Sequence, residues 1–185
     1  MAVTTLDANT ALIVIDLQNG IVALPLNQDA QPVVALSARL AAAFRAKNLP
    51  VVLVNVAAGA PGRTEQARHA GELPAEWAQL VPEMTPQPGD ITVTKRTWGA
   101  FHNTALHNEL QQRGITQVVI CGIATSIGVE STARQAYESG YNVTLAVDAM
   151  ADLDATTHAN SIQRIFPRLG ETGTTEEILA QLNAL

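Results

Sequence analysis

Cysteine is almost absent from this chain. Cys121 is the one thiol in 185 residues, which excludes an internal disulfide framework. Basic residues are also few: 11 Lys and Arg against 17 Asp and Glu leave a formal charge of −6 and a pI near 5.1. That balance argues against nucleic acid and anionic membranes as partners. Aromatic residues are scarce at 4% while 47% of the chain is apolar, so the core must be built mainly from Ala, Val and Leu. No apolar run is long enough to cross a bilayer. The opening residues, MAVTTLDANT, carry neither a basic patch nor the apolar segment of a signal peptide, so a soluble cytoplasmic protein is expected. Repeats, low-complexity tracts and linkers are missing too. The length then suits one domain over residues 1–185, large enough to bury a core. The four histidines, His69, His102, His107 and His158, show no zinc-like spacing, and no metal or other cofactor is expected.

What the chain does have is a regular alternation. Apolar runs at 11–15, 51–56, 91–94, 118–121 and 141–147 read as strands. A helix is expected over 29–47, with Val33, Leu36, Leu40 and Phe44 on one face. Another is expected over 104–113, with Asn103 as its N-cap and Gly114 closing it. A third helix has begun by about Ser126, since Val129, Ala133, Ala136 and Tyr137 follow at helical spacing. A fourth contains His158, Ile162 and Ile165, and a last one over 176–182 is opened by the capping-box pattern of Thr174 and Glu177. Strands alternating with helices imply a parallel sheet with right-handed crossovers. Residues 57–90 form the irregular stretch, rich in proline and long for a compact domain, as lids and binding loops are. Arg63, Arg68 and His69 within it suit either contact with an anionic substrate or plain surface solvation.

One turn stands out. The buried-strand run Val118-Val119-Ile120-Cys121 ends at Gly122 and leads directly into the third helix. Such a turn leaves free backbone N–H groups, and the helix dipole adds a preference for negative charge. In an open parallel sheet these turns line the ligand crevice, which places the active site at residues 123–128. Asp16 and Lys95 lie at other strand ends. On the residues alone, Asp16 serves equally as a loop cap and Lys95 as a solvated charge.

The turn and its flank, G-I-A-T-S-I-G-V-E-S-T-A-R-Q-A-Y-E-S-G-Y-N-V, resemble the signature of the isochorismatase-like hydrolases. So do A-L-I-V-I-D-L-Q-N-G near the start and V-T-K-R-T-W-G-A-F-H-N-T-A-L in the middle, in order over essentially the whole chain. The resemblance implies a three-layer α/β/α fold with a doubly wound, mostly parallel six-stranded sheet. Most members carry a nucleophilic cysteine where this chain has Gly128, and one branch of the family also has glycine there. Cys121 is not a shifted copy of that cysteine, because it precedes Gly122. By the same resemblance Asp16, Lys95 and position 128 form the catalytic set. The N–H groups of Ala124 and Gly128 face the oxyanion, and the Ile123–Ala124 peptide is cis. Gln18, Trp98, Phe101, Thr125 and Ser126 fall in the substrate pocket, although Trp98 and Phe101 serve equally as core filling. A homo-oligomer acting on a small molecule is implied as well. The Asp-x-His motif of the family's metal-using nicotinamidases does not occur.

Gly128 has no side chain, so thiol catalysis is impossible at this position. The expected alternative is hydrolysis of an enol or vinyl ether. Asp16 would protonate carbon as a general acid, Lys95 would hold the substrate or tune the acid, and water would attack the resulting cation. A second reading makes Ser126 a nucleophile with Asp148 and His158, because A-T-S-I-G is a near miss to G-x-S-x-G. A third is a non-catalytic descendant that binds a small metabolite or serves as an assembly subunit.

Overall fold

The densest β-branched runs of the sequence lie at the centre of the sheet, where both faces are buried. A computed structural model describes residues 3–66 and 74–185. Its strands are β1 (Thr10–Ile15), β2 (Val51–Val56), β3 (Ile91–Lys95), β4 (Gln117–Ile123), β5 (Asn142–Ala151) and β6 (Glu171–Gly173). They form one all-parallel sheet in the order β3-β2-β1-β4-β5-β6. The chain winds outward from β1 to one edge, returns to β4, and winds to the other. β1 and β4 therefore flank the point where strand order reverses, the usual place for a ligand crevice.

The helices are α1 (Asn19–Val22), α2 (Ala30–Ala46), α3 (Leu106–Gln112), α4 (Glu130–Glu138), α5 (Ala155–Asn160), α6 (Phe166–Leu169) and α7 (Thr175–Asn183). Two cores follow from the period of two along each strand. Leu12, Val14, Val119 and Cys121 face α2 and α7 with Val33, Leu40, Phe44 and Ile178. Ala11, Ile13, Val118 and Ile120 face the other way, toward Leu106, Leu110, Ala133 and Phe166. Three layers result. Among the described residues no helix is long and apolar enough to cross a membrane.

Local signals mostly hold. The Asp29 carboxylate accepts from the Gln31 N–H at 3.0 Å and starts α2. Thr174 and Glu177 close a full capping box on α7. Others need correction. Asn103 does not cap α3: it sits at φ 52° against His102, and the Thr104 hydroxyl accepts from the Leu106 N–H instead. β5 does not end at Asp148 but continues to Ala151. β6 was not visible as a strand, being three residues long. The edge strand β3 alternates buried and exposed residues because only one side of it is covered.

Gly122 does not stop β4; it lies within the strand, paired with Ile15 on one side and with Met150 across a shift of register on the other. Its φ is +119°, and a Cβ here would collide with the Ile15 backbone. Glycine is required for that approach of β4 to β1. Gly122→Ala is therefore expected to destabilise the fold by about 3 kcal/mol. A urea titration should show the midpoint falling sharply. An unchanged midpoint would mean that the two strands do not meet this closely.

Candidate functional site

The carboxyl ends of β1, β2, β3 and β4 surround a cavity of about 200 Å³. Asp16, Val56, Lys95 and Ile123 each lie at or next to one of those ends and contribute to its wall. Asp16 directly follows β1 with φ 51°, a conformation that Asp adopts more readily than most residues. Its carboxylate Oδ2 lies 2.7 Å from Lys95 Nζ, and both side chains are almost fully buried. Lys95 also donates to the carbonyls of Trp98 at 2.9 Å and Thr97 at 3.3 Å. An ammonium has three hydrogens, so these three acceptors use them all.

Among the described residues Asp16 Oδ1 is buried without a hydrogen-bond partner. Burial lifts the Asp16 carboxyl from 3.8 to about 6, against the opposing charge and hydrogen bond of Lys95. A buried acid with one free oxygen can give or take a proton near neutral pH.

Gly128 completes the group. Residues Thr125–Val129 wind as a π-turn before α4 begins, and Gly128 is buried within it. A Cβ at Gly128 would lie 3.1 Å from Asp16 Oδ2, 3.5 Å from Lys95 Nζ and 3.0 Å from Ile15 Cγ2. Its φ lies outside the left-handed range, so glycine is not demanded by backbone strain. Asp16, Lys95 and position 128 thus meet, as the sequence comparison implied. The Ile123–Ala124 peptide is cis, and both residues border the cavity.

The remaining predicted pocket residues divide. Trp98 forms part of the rim and is 64% exposed. Phe101 lies elsewhere, packed on Tyr141 with ring centroids 5.9 Å apart, because the apolar layer between α3 and α4 offers it more burial than the rim does. Gln18 is fully buried and its amide is saturated. It donates to the carbonyls of Val56 and Trp77 and accepts from the Val56 N–H. Its role is to tie the segment around Trp77 to the end of β2. Part of the irregular stretch is therefore anchored: Leu80 bridges back to Gln18, and Asn55 holds the Ala78 carbonyl. Arg63 is exposed, and Arg68 and His69 lie outside the described residues.

The serine triad is not assembled. The Thr125 hydroxyl donates to the Ala151 carbonyl and lies 2.8 Å from His158 Nδ1, and among the described residues no hydrogen bond joins His158 to Ser126 or to Asp148. Burial holds His158 below its ordinary pKa, with Asp152 opposing. Asp148 accepts from the Thr175 N–H and hydroxyl at the start of α7. Asp152 is the residue that sequence reading missed. It is buried, and its Oδ2 accepts from the Ser126 N–H at 2.7 Å. The apolar run continuing past Asp148 through Ala149-Met150-Ala151 was the signal that could have moved the strand end to it. Thr132 was also missed; its hydroxyl donates to the Gly128 carbonyl and accepts from the Ala100 N–H. Ile127, in the turn 123–128, also walls the cavity, whereas Leu24 and Leu153, which wall it too, had no sequence signal because they are far apart in the chain. Among the described residues no three His, Cys, Asp or Glu side chains converge.

The isochorismatase domain family model matches residues 10–177. The chain is 48% identical over 180 residues to the isochorismatase family protein YwoC of Bacillus subtilis, covering 94% of each. It is 33% identical over 203 residues to the ureidoacrylate amidohydrolase RutB of Variovorax paradoxus, covering 93% of this chain and 81% of that one. The structure of an isochorismatase family protein from Burkholderia thailandensis superposes with a TM-score of 0.92 at 44% identity, covering 97% of this chain and 98% of the other.

Cys121 is fully buried and its thiol is pushed up to about 12, chiefly by desolvation. It should alkylate very slowly. In Gly128→Cys the new side chain projects beside Lys95, whose charge favours thiolate. Mass spectrometry after brief iodoacetamide treatment should find the modification at position 128 and not at Cys121. A folded variant with two equally inert thiols would show that the Asp16–Lys95 group is not open to ligand.

Proposed function

The chain belongs to the isochorismatase family, and on that premise we propose that it hydrolyses a small metabolite with Asp16 as general acid and without covalent catalysis. The observation that carries this reading is the Asp16 carboxyl itself. One oxygen, Oδ2, is fixed by Lys95 and borders the space left by Gly128, and the other, Oδ1, is buried without a partner among the described residues.

For an enol ether the steps balance simply. The C=C electron pair takes the Asp16 proton and forms a C–H bond, leaving an oxocarbenium ion beside the Asp16 carboxylate. Water adds to that cation and returns a proton to Asp16. The hemiketal then collapses to a carbonyl compound and an alcohol. Lys95, with its hydrogens committed, keeps Asp16 in place and lowers the cost of its ionised form. Gly128 leaves room for the substrate where a nucleophile would otherwise stand.

A non-catalytic binder is the second reading, favoured by the absence of any nucleophilic side chain at position 128. Turnover separates the two. A panel of small enol ethers, esters and amides should contain at least one substrate, and EDTA should leave its rate unchanged. Asp16→Asn should lower kcat/KM by about 10²-fold or more. The acid form is the active one, so kcat/KM should be level below the Asp16 pKa of about 6 and decline above it. A profile that instead rises through this range would make Asp16 a base and remove the acid mechanism.

A further inference from the structure

Every charge in the described wall of the cavity is already matched. Asp16 and Lys95 are its two charged side chains, and they pair with each other at 2.7 Å. Lys95 has no hydrogen left for a ligand, since Asp16 and the carbonyls of Thr97 and Trp98 take all three. The other natural anion site would be the start of the π-turn. Its Ser126 N–H is taken by the buried Asp152 carboxylate at 2.7 Å. The protein thus supplies its own anion where a ligand's would sit. Arg63 is exposed and stands outside the wall.

An anionic ligand here would lie beside an ion pair whose charges already cancel, with no unmatched cation in the described wall. Taking a charge out of water without a counter-charge is unfavourable. Two features favour another kind of ligand. Asp16 Oδ1 is a buried acceptor without a partner among the described residues, and leaving it so costs free energy that an incoming N–H or O–H would recover. The rim exposes three large apolar side chains, Leu24 at 38%, Leu153 at 47% and Trp98 at 64%. Exposed apolar groups grouped around one opening suit an apolar ligand body.

We propose that this site takes an uncharged molecule, with an apolar body against Trp98, Leu24 and Leu153 and an N–H or O–H group that completes Asp16 Oδ1, and that it rejects small carboxylates. The word substrate rests on the hydrolase reading above; the ligand class is read by binding alone.

Matched probes test it. Benzamide is paired with 4-carboxybenzamide, and butyramide with succinamate, so that each pair differs by one carboxylate. Titration calorimetry on the full chain near neutral pH should show saturable binding of at least one neutral amide. Its carboxylated partner should bind at least about tenfold more weakly. Asp16→Asn releases Lys95 from its counter-charge and should narrow or reverse that preference. Trp98→Ala changes only the exposed rim, and should weaken benzamide severalfold with no change in melting temperature. The proposal is overturned if a carboxylated probe binds wild-type protein as well as its neutral partner, if no neutral amide saturates, or if a folded Asp16→Asn protein keeps the same discrimination. Should Asp16→Asn fail to fold, the wild-type pairs and Trp98→Ala still decide. Neutral selectivity without turnover of any compound would sink the hydrolase reading and leave the ligand class standing. Preferred turnover of carboxylated compounds would do the reverse.

Discussion

The buried ion pair between Asp16 and Lys95 is the constraint around which the rest of the site is arranged. Taking two charges out of water is costly, and their attraction repays it only when geometry is good and the remaining hydrogen-bonding groups are satisfied. Lys95 meets that condition, with a carboxylate and two carbonyls around it. Those carbonyls belong to a loop that is itself held. The Ala100 N–H bonds to Thr132 and the Phe101 N–H to Gln135, both on α4. Thr132 also grips the Gly128 carbonyl. One helix thereby fixes both the lysine's acceptors and the turn that faces them.

Asp16 is left deliberately incomplete by comparison. Its free oxygen and raised pKa are two consequences of one fact, burial with a single charged partner. A second partner would have pulled the carboxyl back toward its ordinary range and closed it to a ligand. The space beside it exists because Gly128 contributes no side chain, while Ile15 and the turn itself keep that space narrow. The site therefore combines a carboxyl of raised pKa with a position that carries no side chain.

The turn at the start of α4 shows how the fold reuses a general tendency. Free N–H groups at a helix start attract negative charge. Here Asp152, at the end of β5, satisfies the Ser126 N–H from inside the protein. Asn27 and Asp152 exchange two hydrogen bonds that hold the β5 end against the segment before α2. The anion preference of the helix start is spent on structure, and the cavity is left to apolar walls and one proton-bearing group.

The sequence by itself determined five of the six strands and their alternation with helices and, through its resemblance to the family's motifs, the three positions that meet at the site. Apolar runs and helical spacing are local properties, and the motif around Asp16, Lys95 and Gly128 spans nearly the whole chain. It also showed that no thiol stands at position 128. What only the tertiary structure decided was what each polar group is bonded to. Gln18 and Thr125 belong to motif segments yet spend their hydrogen bonds on backbone and on His158. Phe101 turned to Tyr141 while Trp98, three residues earlier, stayed at the rim. Asp148 and Asp152 are four residues apart, and the length of β5 alone made the second the one at the turn. Hydrogen-bond partners and exposure depend on distances between segments far apart in the chain, and no local pattern of residues encodes those distances.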